Sequence, residues 1–161
     1  MSLKEYKFSY TELPDQNALT DNDTALLLKA RAVTAKAYAP YSNFFVGAAA
    51  LLTNKEIITA TNQENASFPV GICAERVLLS TVASMYDGTP IETIAISYDK
   101  KGGNSDHPVF PCGICRQSLT EFEIRMKHPI RLILSGLSGK VLIIEKASDL
   151  LPLNFNSNDL L

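Results

Sequence analysis

All three cysteines of the chain lie in two short segments, Cys73-Ala74-Glu75-Arg76 and Pro111-Cys112-Gly113-Ile114-Cys115. A C-x-E segment followed by a P-C-x-x-C segment supplies three soft ligands and one carboxylate for a single centre. Three thiolates suit Zn²⁺, and three protein ligands leave the fourth tetrahedral position open for water. Glu75 follows the first ligand too closely to be a fourth one, but it is well placed to exchange protons with that water. The fold must therefore bring these two segments together.

Length and charge limit the classes of protein to consider. With 161 residues, the chain suits one domain. We predict an irregular lead-in over residues 1–20 and a single zinc-dependent domain over 21–161. The formal net charge of -2 argues against a nucleic-acid partner, which requires a basic surface. No apolar run is long enough to span a membrane, so we expect no membrane partner. An odd number of cysteines at metal-type spacing predicts reduced thiols and a cytoplasmic location.

Apolar residues at helical spacing predict three helices. The first runs from an N-cap at Asp21 or Asp23 to about Tyr38. The second begins at Cys73 and ends near Gly88, where glycine favours a helix stop. The third begins at about residue 113, directly after the second cysteine segment. Both cysteine segments therefore lie at helix N-termini, where unpaired amides and the helix dipole favour thiolates.

Apolar runs between turn signals predict five strands, at residues 44–52, 56–61, 93–98, 130–134 and 141–145. Short connections make the first two strands antiparallel to each other, and likewise the last two. The third strand follows a helix and should run parallel to the second. The Gly-rich segment 99–110 is predicted to be a mobile loop. These elements form an α/β fold, a three-layer α/β/α sandwich with a five-stranded mixed sheet, and its site lies where strands end and helices begin.

Further motifs surround the cysteine segments in a fixed order: Ala39-Pro40-Tyr41-Ser42-Asn43-Phe44, Val46-Gly47-Ala48-Ala49, Asn62-Gln63-Glu64-Asn65-Ala66-Ser67-Phe68, and Arg116-Gln117 after Cys115. Together they resemble the small, homotetrameric, three-cysteine cytidine deaminases from about residue 24 to the C-terminus. The chain differs from the family pattern in a longer 99–110 loop, in Phe45 where proline is common, and in about 20 extra N-terminal residues. The longer loop leads directly into Pro111 and so bears on access to the site.

The resemblance implies a role for each matched residue. The zinc ligands would be Cys73, Cys112 and Cys115, and Glu75 would be the proton shuttle, as in zinc-dependent base deaminases generally. Asn62 and Glu64 would hold a ribose hydroxyl, Phe44 would pack near the base, and the amide of Ala74 would meet the base carbonyl. The family's active sites lie between subunits, so the resemblance also implies a homotetramer in which Phe155 closes a neighbour's site. Arg76, beside the thiolates, is expected to offset their excess charge and to donate to a ligand sulfur.

The implied activity is hydrolytic deamination of cytidine and deoxycytidine to uridine and deoxyuridine plus ammonia, a step of pyrimidine salvage. Zinc-bound hydroxide would attack the base, and Glu75 would carry the protons. Two alternatives remain at this stage: a deaminase of another aminopyrimidine nucleoside, such as a nucleoside antibiotic, and a non-catalytic zinc scaffold. A closed structural zinc site with His107 as fourth ligand is a further reading of the cysteines. Phe155 has its own alternative, which is to cover the sheet edge of its own subunit.

Overall fold

A six-stranded mixed sheet forms the centre of the protein in the computed structural model, which describes residues 1–160. Its strands lie in the order β1-β6-β5-β4-β2-β3, and every neighbouring pair is antiparallel except β4 with β5. The strands are β1 (Thr11–Leu13), β2 (Phe44–Leu52), β3 (Ile57–Thr61), β4 (Ile91–Lys100), β5 (Arg131–Ser135) and β6 (Val141–Ile144). Three α-helices connect them within the described part of the chain: α1 (Asp21–Val33), α2 (Ala74–Met85) and α3 (Gly113–Met126).

The helices cover both faces of the sheet, which confirms the predicted three-layer sandwich. Residues alternate along each strand between the two faces. On one face α1 packs with Leu27 and Ala30 against Ala49, Ala95 and Ile133. On the other face α2 and α3 pack against the neighbouring strand residues in a larger apolar core, formed by Leu78, Val82, Leu119, Phe122, Ile94, Ile96, Leu132 and Leu134 among others. None of the described helices is long and apolar enough to cross a membrane.

The sheet has six strands rather than the five predicted from the sequence. The additional strand, β1, lies within residues 1–20, which were predicted to be irregular, and it pairs with β6 at the outside of the sheet. Three residues are too few to show an alternating pattern, so the sequence carried no signal for this strand. An ion pair between Lys140 Nζ and Glu12 Oε1, 2.7 Å long, lies beside the pairing.

The first helix differs from its prediction at both ends. Its N-cap is Thr20, whose hydroxyl accepts a hydrogen bond from the Asp23 amide at 3.2 Å, so the prediction of an aspartate N-cap is wrong. Threonine caps a helix as aspartate does. Because Thr20, Asp21 and Asp23 stand close together, the sequence alone did not show which of them is the N-cap. The α-helix ends at Val33 and continues only as a 3₁₀ turn, Thr34–Lys36.

The directions of the strands bring three parts of the chain to the same end of the sheet, where β2 begins and β3 and β4 end. β3 and β4 both run antiparallel to β2 and lie on either side of it. The ends of β3 and β4 therefore lie near the beginning of β2, where Phe44 pairs with Lys100. The segments that follow β3 and β4 lead into α2 and α3. This arrangement brings Phe44 and both cysteine segments to that end of the sheet.

Candidate active site

The sulfur atoms of the three cysteines all lie within 4.8 Å of one another. The Cys112 Sγ atom is 3.5 Å from that of Cys115 and 4.0 Å from that of Cys73. A tetrahedral zinc with bonds of about 2.3 Å to each sulfur requires sulfur atoms about 3.8 Å apart. The donor set and its spacing therefore fit zinc. Among the described residues, this group of three sulfurs includes no histidine, and His107 lies instead beside Tyr98 and Asp106.

Hydrogen bonds between the thiols shift the pKa values of Cys73 and Cys115 in opposite directions. Cys73 is the N-cap of α2 and Cys112 is the N-cap of α3, so both face the positive ends of helix dipoles. A hydrogen bond from Cys115 lowers the pKa of Cys73 to about 6, and the same bond raises the pKa of Cys115. Cys73 therefore ionises readily while Cys115 keeps its proton. Loss of all three protons needs a cation between the sulfurs, which is a further reason why the cluster suits a metal.

Glu75 is a buried carboxyl group in the first turn of α2, with 6% of its surface exposed. Burial raises its pKa above the usual value for glutamate. It lines the same cavity as Cys73 and Cys112. A buried carboxyl group with a raised pKa, beside a metal-type sulfur cluster, has the properties of a general acid and base.

The cavity has a volume of about 560 Å³, within the range of small-molecule sites. Four other residues singled out in the sequence, Phe44, Asn62, Glu64 and Ala74, also line it. The remaining lining residues are mostly apolar and include Phe68, Ile72, Ile96, Val109 and Phe110. Ala74 is the first residue of α2, where backbone N–H groups have no partner within the helix. The structure therefore gathers into one cavity most of the residues that the sequence singled out.

Asn62 and Glu64 both line the cavity and differ in their contacts. The Asn62 carboxamide accepts a hydrogen bond from the Val46 amide at 2.7 Å and donates one to the Phe44 carbonyl at 2.9 Å. Glu64 Oε2 accepts from the backbone amides of Tyr41 and Ser42. A side-chain hydrogen bond from Ser42, followed by these amides, lowers the pKa of Glu64. Glu64 is therefore an ionised acceptor, and Asn62 also fixes the start of β2.

Two other residues named from the sequence lie outside this cavity. Arg76 lines a separate cleft between α2 and α3 together with Glu121 and Arg125. Its positive charge adds to the lowering of the Cys73 pKa, after the larger effects of the hydrogen bonds from the other thiols. Phe155 lies on the C-terminal tail with 60% of its surface exposed, and its carbonyl accepts a hydrogen bond from Gln117 Nε2 at 2.8 Å.

Arg116 has a role that we did not infer from the sequence. Its Nε donates to the Pro111 carbonyl at 2.8 Å, and its Nη1 donates to the Leu150 carbonyl at 3.1 Å. These bonds tie the turn that carries Cys112 to the segment after β6. The position of Arg116, directly after Cys115, was the only available signal, because the two carbonyl partners are set by the tertiary fold.

An α/β/α sandwich with three thiols at helix starts and a buried glutamate beside them defines the class of hydrolases that use zinc to activate water. Residues 20–127 match the family model described as the cytidine and deoxycytidylate deaminase zinc-binding region. The chain belongs to the cytidine deaminase family.

Three relatives illustrate the extent of this similarity. A cytidine deaminase of Halalkalibacterium halodurans is 37% identical over 141 residues, which cover 86% of this chain and 98% of that protein. A cytidine deaminase of Mycobacterium tuberculosis is 34% identical over 149 residues, or 91% of this chain and 93% of the relative. The crystal structure of cytidine deaminase from Burkholderia pseudomallei superposes with a TM-score of 0.70 at 36% identity, covering 85% of this chain and 100% of that one. The similarity thus spans most of the described fold.

Proposed function

We infer that this protein hydrolyses cytidine and deoxycytidine to uridine and deoxyuridine, with release of ammonia. The observation that carries this inference is the buried Glu75 carboxyl group, which lines one cavity with Cys73 and Cys112 of the three-sulfur cluster. A scaffold protein would have no use for a buried carboxyl group there, because burial of an ionisable group costs stability. Membership of the cytidine deaminase family supports the same substrate class. Such a reaction belongs to pyrimidine salvage, and we place it in the cytoplasm because the three thiols must stay reduced.

Cys73, Cys112 and Cys115 would hold about one zinc ion per chain. The zinc ion would act as a Lewis acid and lower the pKa of a bound water. Glu75 accepts a proton from the attacking water and delivers it to N3 of the pyrimidine ring. The water oxygen forms a bond to C4, and Glu75 then carries a second proton to the amino group at C4. The bond between C4 and nitrogen breaks, so one water is consumed and one ammonia released. The raised pKa of Glu75 suits both directions of proton transfer.

The remaining cavity residues bind and orient the nucleoside. The Ala74 amide at the start of α2 donates to the carbonyl of the base, and Phe44 packs against its ring. Asn62 and Glu64 bind a hydroxyl of the sugar, since Glu64 is held ionised and a carboxylate can accept several hydrogen bonds. Among the described residues that line the cavity, none is Lys, Arg or His. A phosphate group would meet Glu64 without a compensating cation, so we assign a nucleoside rather than a nucleotide as substrate.

The apolar rim of the cavity supports the proposal of a homotetramer with shared sites. Phe68 and Phe110 line the cavity and have 74% and 53% of their surfaces exposed. A neighbouring subunit packed there would bury these rings and exclude water from the reaction. The exposed Phe155 ring on the tail is the group we propose as the neighbour's contribution.

An ultraviolet assay of cytidine turnover tests the proposed function directly. We expect the zinc-loaded protein to convert cytidine and deoxycytidine, a chelator to stop turnover, and added Zn²⁺ to restore it. Free cytosine and deoxycytidine monophosphate serve as comparison substrates and should react far more slowly. Zinc-loaded protein that leaves cytidine unchanged would overturn the proposal. Turnover of the monophosphate as fast as that of cytidine would overturn the nucleoside assignment.

A further inference from the structure

Tyr98 stacks against Phe44, one of the aromatic residues that line the cavity. The two rings are stacked, with centroids 4.7 Å apart and an angle of 15° between the planes. Tyr98 is 1% exposed and belongs to β4, whereas Phe44 begins β2 and is partly exposed towards the cavity. The Tyr98 ring therefore fills the space into which the Phe44 ring would otherwise move. Close packing of this kind holds a side chain in one position.

The hydroxyl group of Tyr98 is held in turn by His107. Its oxygen lies 3.2 Å from Nδ1 and 3.4 Å from Nε2 of His107, and the two rings meet edge to face at 5.7 Å. Burial raises the pKa of Tyr98, so the hydroxyl keeps its proton at neutral pH and can donate to the imidazole. Asp106 Oδ1 lies 3.2 Å from His107 Nδ1 on the other side. Tyr98 is thus fixed by a residue of the long segment that precedes Pro111.

Residues 101–110, which we call the long loop, are anchored at two places. The Lys101 amide donates to the Asn43 carbonyl at 3.1 Å, next to Phe44. The Ser138 amide donates to the Ser105 carbonyl at 3.2 Å, so the loop also rests on the turn between β5 and β6. Gly139 makes this contact possible, because a Cβ atom there would lie 1.9 Å from the Asp106 carbonyl oxygen. These contacts give His107 a defined position relative to the sheet.

We propose that Tyr98 and His107 are positioning residues that hold Phe44 against the pyrimidine ring, so that the long loop sets the affinity of the site for the base. This inference rests on the proposed function, since it takes Phe44 as the residue that packs on the base. Phe44 makes the same contact before and during the reaction. Loss of its positioning should therefore weaken binding of substrate and transition state equally, which raises KM and leaves kcat unchanged.

Two variants test the contact between Tyr98 and His107. Tyr98→Phe keeps the stacked ring and removes only the hydroxyl, and His107→Ala removes the partner. Each should raise KM for cytidine about 3-fold or more, as expected for loss of one hydrogen bond, with kcat within about 2-fold of the unmodified protein. The double variant should raise KM no further than the larger of the two single effects, because either change alone already breaks the contact between the Tyr98 hydroxyl and the His107 imidazole. Lys101→Ala is the control, since it alters the long loop only through the Lys101 contact with the Phe45 ring.

Three kinetic results would overturn the proposal: a fall in kcat at constant KM, additive effects in the double variant, or an equal KM change in Lys101→Ala. Ordinary core packing of Tyr98 would lower the melting temperature of Tyr98→Phe without changing KM.

A crystal structure of Tyr98→Leu gives a second test that does not depend on activity. The Phe44 ring should move into the space behind it, and a ring that stays in place would contradict the positioning role. If the unmodified protein failed to deaminate cytidine, the proposed function would fall, and this structure would still decide whether Tyr98 positions Phe44. If Tyr98→Leu does not fold, the kinetics of Tyr98→Phe decide the question.

Discussion

Glu75 and Glu64 are two carboxyl groups in one cavity whose surroundings shift their pKa values in opposite directions. Burial raises the pKa of Glu75, whereas hydrogen bonds, first from the Ser42 side chain, lower the pKa of Glu64. A pair shifted apart in this way commonly divides its work between proton transfer and charge-dependent binding. Glu75 is suited to the first task and Glu64 to the second.

Glu75→Gln should abolish proton transfer while it preserves the shape of the side chain. We expect turnover of cytidine to fall by at least about 10²-fold, because a general acid and base contributes that much or more. Zinc content should remain near one per chain, since the three sulfurs are unchanged. Steady-state kinetics and metal analysis on the same sample check both statements. Near-normal turnover in this variant would rule out Glu75 as the proton carrier.

Asn62→Ala and Glu64→Ala should both weaken use of the nucleoside, but only the first should also destabilise the protein. The Asn62 carboxamide satisfies backbone groups of Phe44 and Val46, and their loss leaves polar groups without partners. Glu64 accepts from amides in an exposed turn that water can reach. Thermal denaturation and KM for cytidine separate the two effects. Equal melting temperatures in the two variants would show that the Asn62 contacts do not stabilise the fold.

Motif residues were predictable from the sequence because their spacing is local. Cys73 and Glu75 lie within one helix turn, and the pair Cys112 and Cys115 lies within another, so their proximity follows from helix geometry. Contact between Tyr98 and His107 depends instead on the path of the long loop over the β5–β6 turn. A path of this kind leaves no periodic signal in the sequence.

Both α2 and α3 begin at the sulfur cluster, so the position of each helix start controls the site. Arg116 links the start of α3 to the chain after β6 through the carbonyls of Pro111 and Leu150. Its guanidinium group satisfies two carbonyls at once, which a shorter or apolar side chain cannot do. The geometry of the Cys112 turn therefore depends on a contact made by the helix that follows it.

Arg116→Met should loosen this turn and accelerate loss of zinc. We expect transfer of zinc to a competing chelator to become about 10-fold faster, in line with the effect of outer contacts at metal sites. Arg125→Met is a matched control on the same helix, since Arg125 lies over the Phe122 ring and lines the cleft between α2 and α3. Equal release rates in the two variants would contradict the role given to Arg116.

At the level of elements, long periodic segments were predicted well and short ones were not. The starts of α2 and α3 follow from cysteine-bearing turns and apolar spacing, and β2 follows from a nine-residue apolar run. Thr20 was missed as the cap of α1 because several polar residues stand together there. β1 was missed because a three-residue strand takes its stability from β6 rather than from its own sequence.

For the whole molecule, the exposed Phe155 ring links the tail to the proposed assembly. Phe155→Ala removes the ring but keeps the carbonyl that accepts from Gln117. If the ring closes a neighbour's site, activity should fall about 10-fold or more while the melting temperature changes little. Leu153→Ala is the control, because Leu153 is fully exposed on the same tail.

Sedimentation of the unmodified protein should show a tetramer. A fully active monomer would end the proposal of shared sites.

Pairing of β1 with β6 has a consequence for aggregation. β6 is four consecutive apolar residues, Val141–Ile144, and without β1 its backbone N–H and C=O groups would form an open template for another chain. A variant that lacks residues 1–13 should therefore self-associate with rising concentration, as light scattering would show, whereas the full chain should not. A truncated protein that scatters no more than the full chain would contradict this. Strand β1, although it has only three residues and is largely exposed, thus protects β6 from pairing with the strands of other chains.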